Sequence, residues 1–488
     1  MAECLAAVGA SPGERVALLL PNRAEVLDLF FGIARLGAVQ VPLNPYLRGE
    51  FLAHQPSDAA PGVVVTDQAG WATLQPVLTR VPDLRSVVLL DAGAKLPRHE
   101  GVAMFDYHDL PRTTFDDPEI TASSLMSILY TSGTTGQAKG CMLTHGYYTR
   151  CGQLDAAMLR LTGDDVFLSC LPLFHGGAQL KGIMPCLMAG TPFVVEERFS
   201  ASGFFRGIAE AGATVANAVG AMGAMVLASP PSQWDRNHRL RILNVAPLAE
   251  TLQQSFMDRF GTDAWTEVYG QTECVPVLIG DPHREDRDRS TLGTPAPDLE
   301  VALLDDDLQE VAAGDVGEIC LRPRHRFVMF SGYWRRPEDT LAAQEGLWHH
   351  TGDYGLRLPS GEYRFVDRKK DALRVRGENV SSVELETAIT GHPDIVEAAV
   401  HAVESELTED DIKACLIVGA PVHPAALFAW FREALPYFAI PRYVEVLEEL
   451  PRNAVNRVLK HILRDRGVTE STWDLQAMGL AVSRDERR

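Results

Sequence analysis

Residues 16–43 read VALLLPNRAEVLDLFFGIARLGAVQVPL, and this stretch predicts a β-strand, an α-helix and a second β-strand. The unbroken apolar run Val16–Leu20 is typical of a strand buried on both faces of a parallel sheet. Asn22 is a suitable N-cap, apolar residues then recur at helical spacing, and Gly37 is a suitable C-cap. Further short β-branched runs follow at 63–65 and 87–90. Strands separated by helices predict right-handed crossovers and a layered α/β domain.

The character of the sequence changes near Gly361. Residues 361–367 predict a short hairpin strand, and the charged stretch 368–371 indicates a linker. Beyond it the strand and helix signals are Ile395–Val400, Ala414–Val418, Pro424–Leu435 and Tyr443–Leu447. We therefore expect an α/β fold with a large layered N-terminal domain of βαβ units and parallel-rich sheets, residues 1–369. A small α+β domain, residues 370–488, would follow it.

Composition excludes several classes of protein. Lys and Arg number 45 against 65 Asp and Glu, which gives a net charge of −20 and argues against a nucleic-acid binder. The eight cysteines are scattered without a Cys-x-x-Cys pair, which disfavours a structural zinc site. No signal peptide is apparent, and the most apolar stretch, 213–228, is too short and too interrupted to span a membrane. We expect a cytoplasmic protein with no nucleic-acid partner and no membrane insertion.

The sharpest local motif is LYTSGTTGQAKG at residues 129–140. Its glycines allow backbone N–H groups to converge on an anion, its hydroxyls donate further hydrogen bonds, and Lys139 adds a positive charge. The spacing is not that of a Walker A loop. Taken alone, the motif is compatible with a phosphate-binding loop and equally with a flexible Ser/Gly-rich loop.

Three further motifs lie downstream. The carboxylate and hydroxyl in Tyr269–Glu273 (YGQTE) suit a hydrated Mg²⁺ held against phosphates. The turn His350–Asp353 (HTGD) offers a carboxylate that could accept hydrogen bonds from a ribose diol. The stretch Pro172–Gly177 (PLFHGG) places one histidine in an apolar loop. Each motif alone is also compatible with an ordinary turn or a core histidine.

These motifs, in this order, resemble those of the adenylate-forming superfamily. The resemblance also includes Gly332-Tyr333-Trp334, Pro337-Glu338, 367–371 and 377–380. That superfamily includes acyl-CoA synthetases, adenylation domains of peptide synthetases and firefly-luciferase-like enzymes. The resemblance spans nearly the whole chain and is nearest to ligases for carnitine-like and other short or medium acids. It implies ATP- and Mg²⁺-dependent activation of a carboxylic acid as an acyl-adenylate, release of pyrophosphate, and transfer to a thiol, normally that of CoA.

The resemblance also implies roles for individual residues. Those of the ATP site would be Thr131, Ser132, Gly133, Thr134, Thr135, Lys139, Ala246, Tyr269, Gly270, Thr272, Asp353 and Arg368. Within this set Tyr269 would stack on adenine, Asp353 and Arg368 would bind the ribose, and Lys139 and Thr272 would contact phosphate. Glu273 would hold Mg²⁺. The acid pocket would include His175, Gly176, Val245 and Gln271, the hinge of a mobile C-terminal domain would be Lys370, and the CoA side would include Gly377 and Glu378.

The sequence departs from the family at the catalytic lysine near its end. The family usually has Gly-Lys where this chain has Asn456-Arg457. Arg457 keeps the positive charge and can bind two oxygens, but its planar guanidinium does not occupy the position of a lysine ammonium. We expect slower adenylation or a different acceptor geometry. Lys460, three residues further on, is a possible substitute.

Two other departures concern the acid pocket and the C-terminal domain. Asn244 and Val245 stand where the family often has two glycines, which predicts a smaller or reshaped acid pocket. Ser382 replaces a common proline, and we expect that change to be neutral.

Other functions remain open at this point. The adenylate could pass to a carrier-protein thiol or an amine, or the enzyme could activate nitrite, a small oxyacid, and diazotise an aromatic amine. A different class of function is a non-catalytic relative that only binds nucleotide. The retained Lys139, Glu273 and Asp353 argue against that last alternative, because a decayed site should lose its phosphate and metal ligands early.

Overall fold

The computed structural model describes residues 1–93, 96–131, 138–248, 250–369, 371, 373–375, 378–404, 410–435, 439–452, 456 and 458–480. The chain divides into two compact units. The first contains Met1–Val301 and Leu321–His349, and the second contains Ala302–Cys320 and His350–Arg488. The division at residues 369/370 that the sequence predicts depends on a hinge at Lys370. That residue lies outside the described ones, so the division stays a prediction.

The first unit begins with a seven-stranded sheet. Its strands are β1 (Arg15–Leu19), β2 (Val39–Pro42), β3 (Val63–Thr66), β4 (Ser86–Leu89), β5 (Ala103–Asp106), β6 (Leu125–Thr131) and β7 (Lys139–Thr144). The helices of this region are α1 (Ala2–Ala7), α2 (Ala24–Leu36), α3 (Gly49–Ala59), α4 (Gln68–Leu74) and α5 (His145–Met158). The strand order is β5-β4-β3-β1-β2-β6-β7, and only β6 and β7 pair antiparallel. That hairpin brings the two ends of the glycine-rich loop together.

The second sheet of this unit has five parallel strands in the order β12-β11-β10-β8-β9. They are β8 (Phe167–Ser169), β9 (Phe193–Val195), β10 (Val215–Val219), β11 (Ile242–Ala246) and β12 (Asp263–Trp265). The helices are α6 (Gly176–Ala178), α7 (Met184–Ala189), α8 (Phe204–Ala211), α9 (Gly220–Ala228) and α10 (Glu250–Phe260). A short π-helical turn, Gln179–Ile183, connects α6 to α7. Both large sheets confirm the predicted parallel-rich α/β architecture.

Smaller sheets complete the chain. The strands are β13 (Val268–Gln271), β14 (Cys274–Ile279), β15 (Thr294–Pro295), β16 (Leu299–Leu304), β17 (Val316–Pro323), β18 (His349–Arg357), β19 (Tyr363–Arg368), β20 (Leu373–Val375), β21 (Glu378–Val380), β22 (Ile395–Glu404), β23 (Asp410–Val418), β24 (Tyr443–Val446) and β25 (Trp473–Asp474). The helices are α11 (Pro337–Ala342), α12 (Ser382–Ile389), α13 (Pro424–Ala434) and α14 (Lys460–Arg466). Four sheets result, β13–β15, β16–β19, β20–β21 and β22–β25. The last packs its apolar face against α12 and α13, which gives the predicted α+β region its own core.

The elements predicted from residues 16–43 are present. Strand β1, helix α2 and strand β2 occupy that stretch, and Gly37 ends α2 in the left-handed conformation with φ of 69°. Helix α1 lies before β1 and packs on α2. Among the described residues, no helix combines the length and the apolar character that crossing a bilayer requires.

The prediction that Asn22 caps α2 is wrong. The N-cap is Arg23, and no side chain caps the helix. Instead the buried Asn22 amide donates to the carbonyl oxygens of Leu171 and Glu196 at 2.9 and 3.0 Å. Its side-chain oxygen accepts from the Leu173 N–H at 2.7 Å. A long-range use of a buried amide outweighs a local cap, because an unpaired buried amide costs more than an uncapped helix N-terminus in water.

Candidate active site

The glycine-rich loop begins and ends on paired strands. Thr131, the last residue of β6, lies opposite Lys139, the first residue of β7, and the Thr131 hydroxyl donates to the Lys139 carbonyl at 3.4 Å. Ser132, Gly133, Thr134 and Thr135 lie outside the described residues, so their predicted contacts with phosphate stay predictions.

Lys139 is held by a carboxylate and an aromatic ring. Its Nζ donates to Asp339 Oδ1 at 2.8 Å and lies 5.2 Å from the centre of the Tyr333 ring. Asp339 is in the first turn of α11, which begins with the Pro337-Glu338 pair of the sequence motif. Sequence reasoning missed Asp339, because a carboxylate so far along the chain gives no local signal of its partner.

Glu273 is a buried carboxylate with a phenol as its hydrogen-bond partner. Its Oε1 accepts from the Tyr333 hydroxyl at 2.8 Å. Burial and the charge of Glu273 raise the pKa of Tyr333, so the phenol stays protonated and donates. Glu273 forms no ion pair with any residue that the structure describes. A buried carboxylate without a balancing cation fits a divalent metal such as Mg²⁺, which prefers oxygen ligands.

The segment 331–334 connects Lys139 to Glu273. It continues the pairing of β7, with Ser331 N–H donating to Met142 O at 2.8 Å and Trp334 N–H donating to Gly140 O at 2.8 Å. Next to it, Phe330 N–H donates to Glu273 O at 2.8 Å. The structure therefore brings together two predicted residues, Lys139 and Glu273, on either side of Tyr333, a residue of the sequence motif that had no predicted role.

The β13–β14 hairpin, whose turn contains Glu273, carries four other predicted residues. Tyr269, Gly270 and Gln271 lie on β13, which has a bulge between Tyr269 and Gln271, and Thr272 follows in the turn. Gly270 has no room for a side chain, since a Cβ there would lie 2.7 Å from Val275 Cγ2. The buried Tyr147 hydroxyl fixes the turn by donating to Thr272 O at 3.1 Å and accepting from Val275 N–H at 2.8 Å. The contacts of these residues with adenine, phosphate and acid stay predictions.

The predicted acid-pocket residues lie on two segments of the first unit. His175 precedes the short helix α6, which Gly176 begins, and burial lowers the pKa of His175 to about 4, so its imidazole is neutral at pH 7. Val245 and Ala246 end strand β11, with Val245 fully buried. A Cβ on Gly223 would lie 2.8 Å from Val245 Cγ2, so the valine fills space beside helix α9. That Val245 makes the acid pocket smaller or reshapes it stays a prediction.

The second unit holds the other predicted carboxylate. Asp353 on β18 lies opposite Arg368 on β19, and Arg368 Nε is 3.5 Å from Asp353 Oδ1. Asp353 is 3% exposed. Its N–H donates to the Thr351 hydroxyl at 3.2 Å, and that hydroxyl donates to Ile319 O at 2.7 Å. The turn that presents Asp353 is therefore tied to the neighbouring strand β17.

Glu318 on β17 orders this turn. Sequence reasoning did not predict this role of Glu318. It accepts from Gly352 N–H at 2.9 Å, from His350 Nδ1 at 3.0 Å and from Lys369 Nζ at 3.2 Å. Burial opposes ionisation of Glu318, but the hydrogen bonds from His350 and Gly352 outweigh it and lower the pKa. Cys320 lies close by, and the donor atoms of Glu318, Cys320 and His350 are within 4.8 Å of one another. The Lys369 ammonium already balances Glu318, so this group is complete without a metal.

Two family models match the chain. The model described as AMP-binding enzyme covers residues 1–334, and the model described as AMP-binding enzyme C-terminal domain covers residues 384–457. This chain belongs to the AMP-binding enzyme family.

Relatives that match this chain include crotonobetaine/carnitine–CoA ligases. The chain is 32% identical to a crotonobetaine/carnitine–CoA ligase of Salmonella agona over 466 residues, which is 94% of this chain and 89% of the relative. The chain is also 32% identical to the crotonobetaine/carnitine–CoA ligase of an Escherichia coli strain over 464 residues, which is 94% of this chain and 89% of the relative. This enzyme is therefore a member of the AMP-forming acid–CoA ligase family.

Solved structures of the family share the fold. An anthranilate–CoA ligase in complex with anthranoyl-AMP has a TM-score of 0.84 at 25% identity, covering 95% of this chain and 89% of that one. An O-succinylbenzoate–CoA synthetase from Bacillus subtilis, in complex with ATP and magnesium ion, has a TM-score of 0.81 at 26% identity, covering 95% and 92%. These likenesses confirm the predicted fold class, a large domain of parallel sheets with a small C-terminal domain.

Several predicted residues of this family member lie outside the described ones, namely Lys370, Gly377 and Arg457. Glu378 begins β21 opposite Val375, and its relation to CoA stays a prediction. Lys460 is the possible substitute for the family's lysine. Its Nζ lies 2.7 Å from Glu386 Oε1 and donates to Ser382 Oγ at 2.5 Å. It is thus engaged within its own unit.

Ser382 is not a neutral replacement for the family's proline. The residue is fully buried, and its N–H donates to Asp367 Oδ2 at 2.5 Å, which a proline could not do. Its hydroxyl also accepts from Lys460. Ser382 therefore links the start of α12 to β19 and α14.

Proposed function

We propose that this enzyme uses ATP to activate a carboxylic acid as its acyl-adenylate and then transfers the acyl group to the thiol of CoA. The observation that carries this proposal is the group of Lys139, Tyr333 and Glu273. It places a positive charge at the end of the glycine-rich loop beside an unbalanced buried carboxylate. A polyphosphate with its divalent cation would complement both charges.

The chemistry requires two anions to approach each other. A carboxylate oxygen of the acid attacks the α-phosphorus, and the bond from that phosphorus to the oxygen of pyrophosphate breaks. Lys139 would exchange Asp339 for a phosphate oxygen and neutralise charge that develops toward pyrophosphate. Glu273 would hold Mg²⁺, which when bound screens the phosphate oxygens. Asp353 would accept hydrogen bonds from the ribose hydroxyls, with Arg368 fixing its orientation.

Transfer to the thiol is the second half-reaction. The sulfur attacks the acyl carbon, the bond to the bridging oxygen breaks, and AMP leaves with that oxygen. CoA is supported as the acceptor by the names of the relatives, since the carnitine, anthranilate and O-succinylbenzoate enzymes are each named for CoA. Gly377 and Glu378 would lie on the side from which CoA enters.

Arg457 would take the part of the family's lysine in the first half-reaction. Its guanidinium can bind a carboxylate oxygen and an α-phosphate oxygen together. Changing Arg457 to Ala should therefore slow formation of the adenylate more than thiol transfer from preformed adenylate. Equal losses in both half-reactions would contradict this role, and Arg457→Lys shows whether the arginine suits its own substrate.

The test is AMP formation from ATP with a pooled panel of carboxylic acids and CoA, followed by mass spectrometry. AMP together with a new acyl-CoA supports the proposal and identifies the acid. AMP without a thioester would replace CoA by another acceptor, a carrier protein or an amine. Absence of AMP with every acid would contradict acid activation, and nitrite with an aromatic amine would then be tested.

A further inference from the structure

A row of polar side chains crosses the five-stranded sheet of the first unit. Ser169 on β8, Asn217 on β10 and Asn244 on β11 lie directly opposite one another, so their side chains share one face. All three are buried, although central parallel strands are normally apolar on both faces. Ser169 and Asn244 have backbone partners. Neither polar atom of the Asn217 amide has a hydrogen-bond partner among the described residues.

The helices above this face add two charged residues. Asp155 on α5 is 0% exposed, and neither of its oxygens accepts a hydrogen bond from a described residue. Lys181 Nζ is 3.6 Å from Asp155 Oδ1 and 5.7 Å from the centre of the Trp265 ring, whose buried N–H is also unpartnered. Burial raises the pKa of Asp155, and the charge of Lys181 opposes that shift. A Cβ on Gly182 would lie 3.8 Å from Asn217 Nδ2, which places the amide beside the segment that carries Lys181.

Unpartnered buried polar groups in one place need an explanation. Each carries a desolvation cost that no hydrogen bond offsets, and native proteins contain few of them. Here Asn217 and Trp265 supply two, on the same sheet face as the buried Asp155–Lys181 pair. The Lys181 side chain is 15% exposed, and its ammonium, which has three N–H groups, pairs with the Asp155 carboxylate at 3.6 Å. It is therefore a donor that a bound molecule can reach.

The cluster lies on the same two segments of the chain as the predicted acid-pocket residues. Lys181 is in the turn that follows His175 and Gly176. Along β11, Asn244 precedes Val245 and Ala246 by one and two residues, and at about 3.3 Å per residue it lies about 3–7 Å deeper in the sheet.

We propose that Lys181 and Asp155, with Asn217 beside them, form the inner end of the acid pocket and select an acid with a neutral hydrogen-bonding oxygen, such as a hydroxyl or keto group, remote from its reacting carboxylate. This inference rests on the proposed function. Lys181 donates to the oxygen, and Asp155 balances the lysine. A second carboxylate is disfavoured, because it would leave a net negative charge buried beside Asp155.

The test is the specificity ratio, the kcat/KM for an ω-hydroxy or keto acid divided by that for the plain acid of equal length, measured by AMP release. The wild-type ratio should exceed one, and Lys181→Met should lower it about tenfold, as loss of one hydrogen bond to a charged group predicts. Arg160→Met is the matched control, since it removes an exposed cation of the same unit, and it should keep the wild-type ratio. Asp155→Asn should raise acceptance of the dicarboxylic acid relative to the hydroxy acid, because the net charge of the pair becomes positive.

The outcomes separate this inference from the proposed function. AMP release with plain acids, and a ratio that is the same in wild type and in Lys181→Met, would overturn the inference and leave the proposed function intact. No AMP with any acid would overturn the proposed function. In that case the inference is tested by whether hydroxy acids, added without ATP, stabilise the protein against thermal unfolding. Stabilisation of wild type that is lost in Lys181→Met supports the site, and none in wild type overturns it.

Discussion

The two units hold their buried carboxylates in different ways. In the first, the Glu273 carboxylate accepts from the Tyr333 phenol and forms no ion pair with a described residue. In the second, Asp353 faces the Arg368 guanidinium at 3.5 Å, and the neighbouring Glu318 is balanced by Lys369. The difference indicates different tasks. An unbalanced carboxylate attracts a divalent cation, whereas a balanced one is suited to accepting hydrogen bonds from neutral hydroxyls.

The largest effect is expected at Glu273. Glu273→Gln keeps the size of the side chain and removes its charge, so kcat for AMP formation should fall about 100-fold or more. The KM for ATP should change much less. The matched control is Glu300→Gln, which neutralises an exposed carboxylate paired with Arg322 in the same unit and should keep the wild-type rate. A wild-type kcat in Glu273→Gln would remove the metal role and the contrast with Asp353.

Lys139 should come next. Lys139→Met should lower kcat/KM for ATP about 10- to 100-fold, because a charge-assisted hydrogen bond contributes about 1.5–3 kcal/mol. Steady-state kinetics with varied ATP measures the effect. Asp339→Asn keeps the lysine and removes its partner, so it should cost less than Lys139→Met. If the two variants lost activity equally, the ion pair itself, and not a contact of Lys139 with ATP, would be what matters.

A smaller effect, and of another kind, is expected at Asp353. Asp353→Ala should raise the KM for ATP about tenfold while kcat changes less, since the lost hydrogen bonds are present before and during the reaction. Asp306→Ala, which removes an exposed carboxylate bound to Lys369 in the same unit, serves as the control. A fall in kcat with unchanged KM would make Asp353 resemble Glu273 and would end the distinction between the two carboxylates.

The smallest effect at neutral pH concerns His175. Its pKa is lowered to about 4 by burial, below the ordinary value of 6.5, so the unfolded chain binds more protons between these values. This residue's contribution to stability is complete above about pH 6.5 and is lost as the pH falls toward 4. Denaturant unfolding at several pH values should show a weaker loss over that range in His175→Gln than in wild type. An identical loss would show that His175 is not buried in neutral form.

The parts of the fold that follow from the sequence are those with local signals. The run Val16–Leu20, the helical spacing after it and Gly37 predict β1, α2 and their boundary, because burial on both faces and a left-handed C-cap leave a pattern in neighbouring residues. The motifs that contain Lys139, Glu273 and Asp353 are local too. Their order along the chain was enough to predict the family.

The remaining features depend on partners distant in sequence. Asp339 binds Lys139 across 200 positions, Asn22 bridges segments near 171 and 196, and Glu318 binds the turn before Asp353. An isolated carboxylate or amide in the sequence carries no information about such a partner. The Asp155–Lys181 pair was missed for the same reason, because only the packing of α5 against the turn after α6 brings the two residues together.

The most direct test of acid activation follows the oxygen atoms. An acid that supports turnover is labelled with heavy oxygen in its carboxylate, incubated with the enzyme, ATP and CoA, and the AMP produced is weighed by mass spectrometry. If the carboxylate attacks the α-phosphorus, AMP leaves the thioester-forming step carrying one labelled oxygen. Unlabelled AMP, or ADP as the nucleotide product, would contradict an acyl-adenylate intermediate.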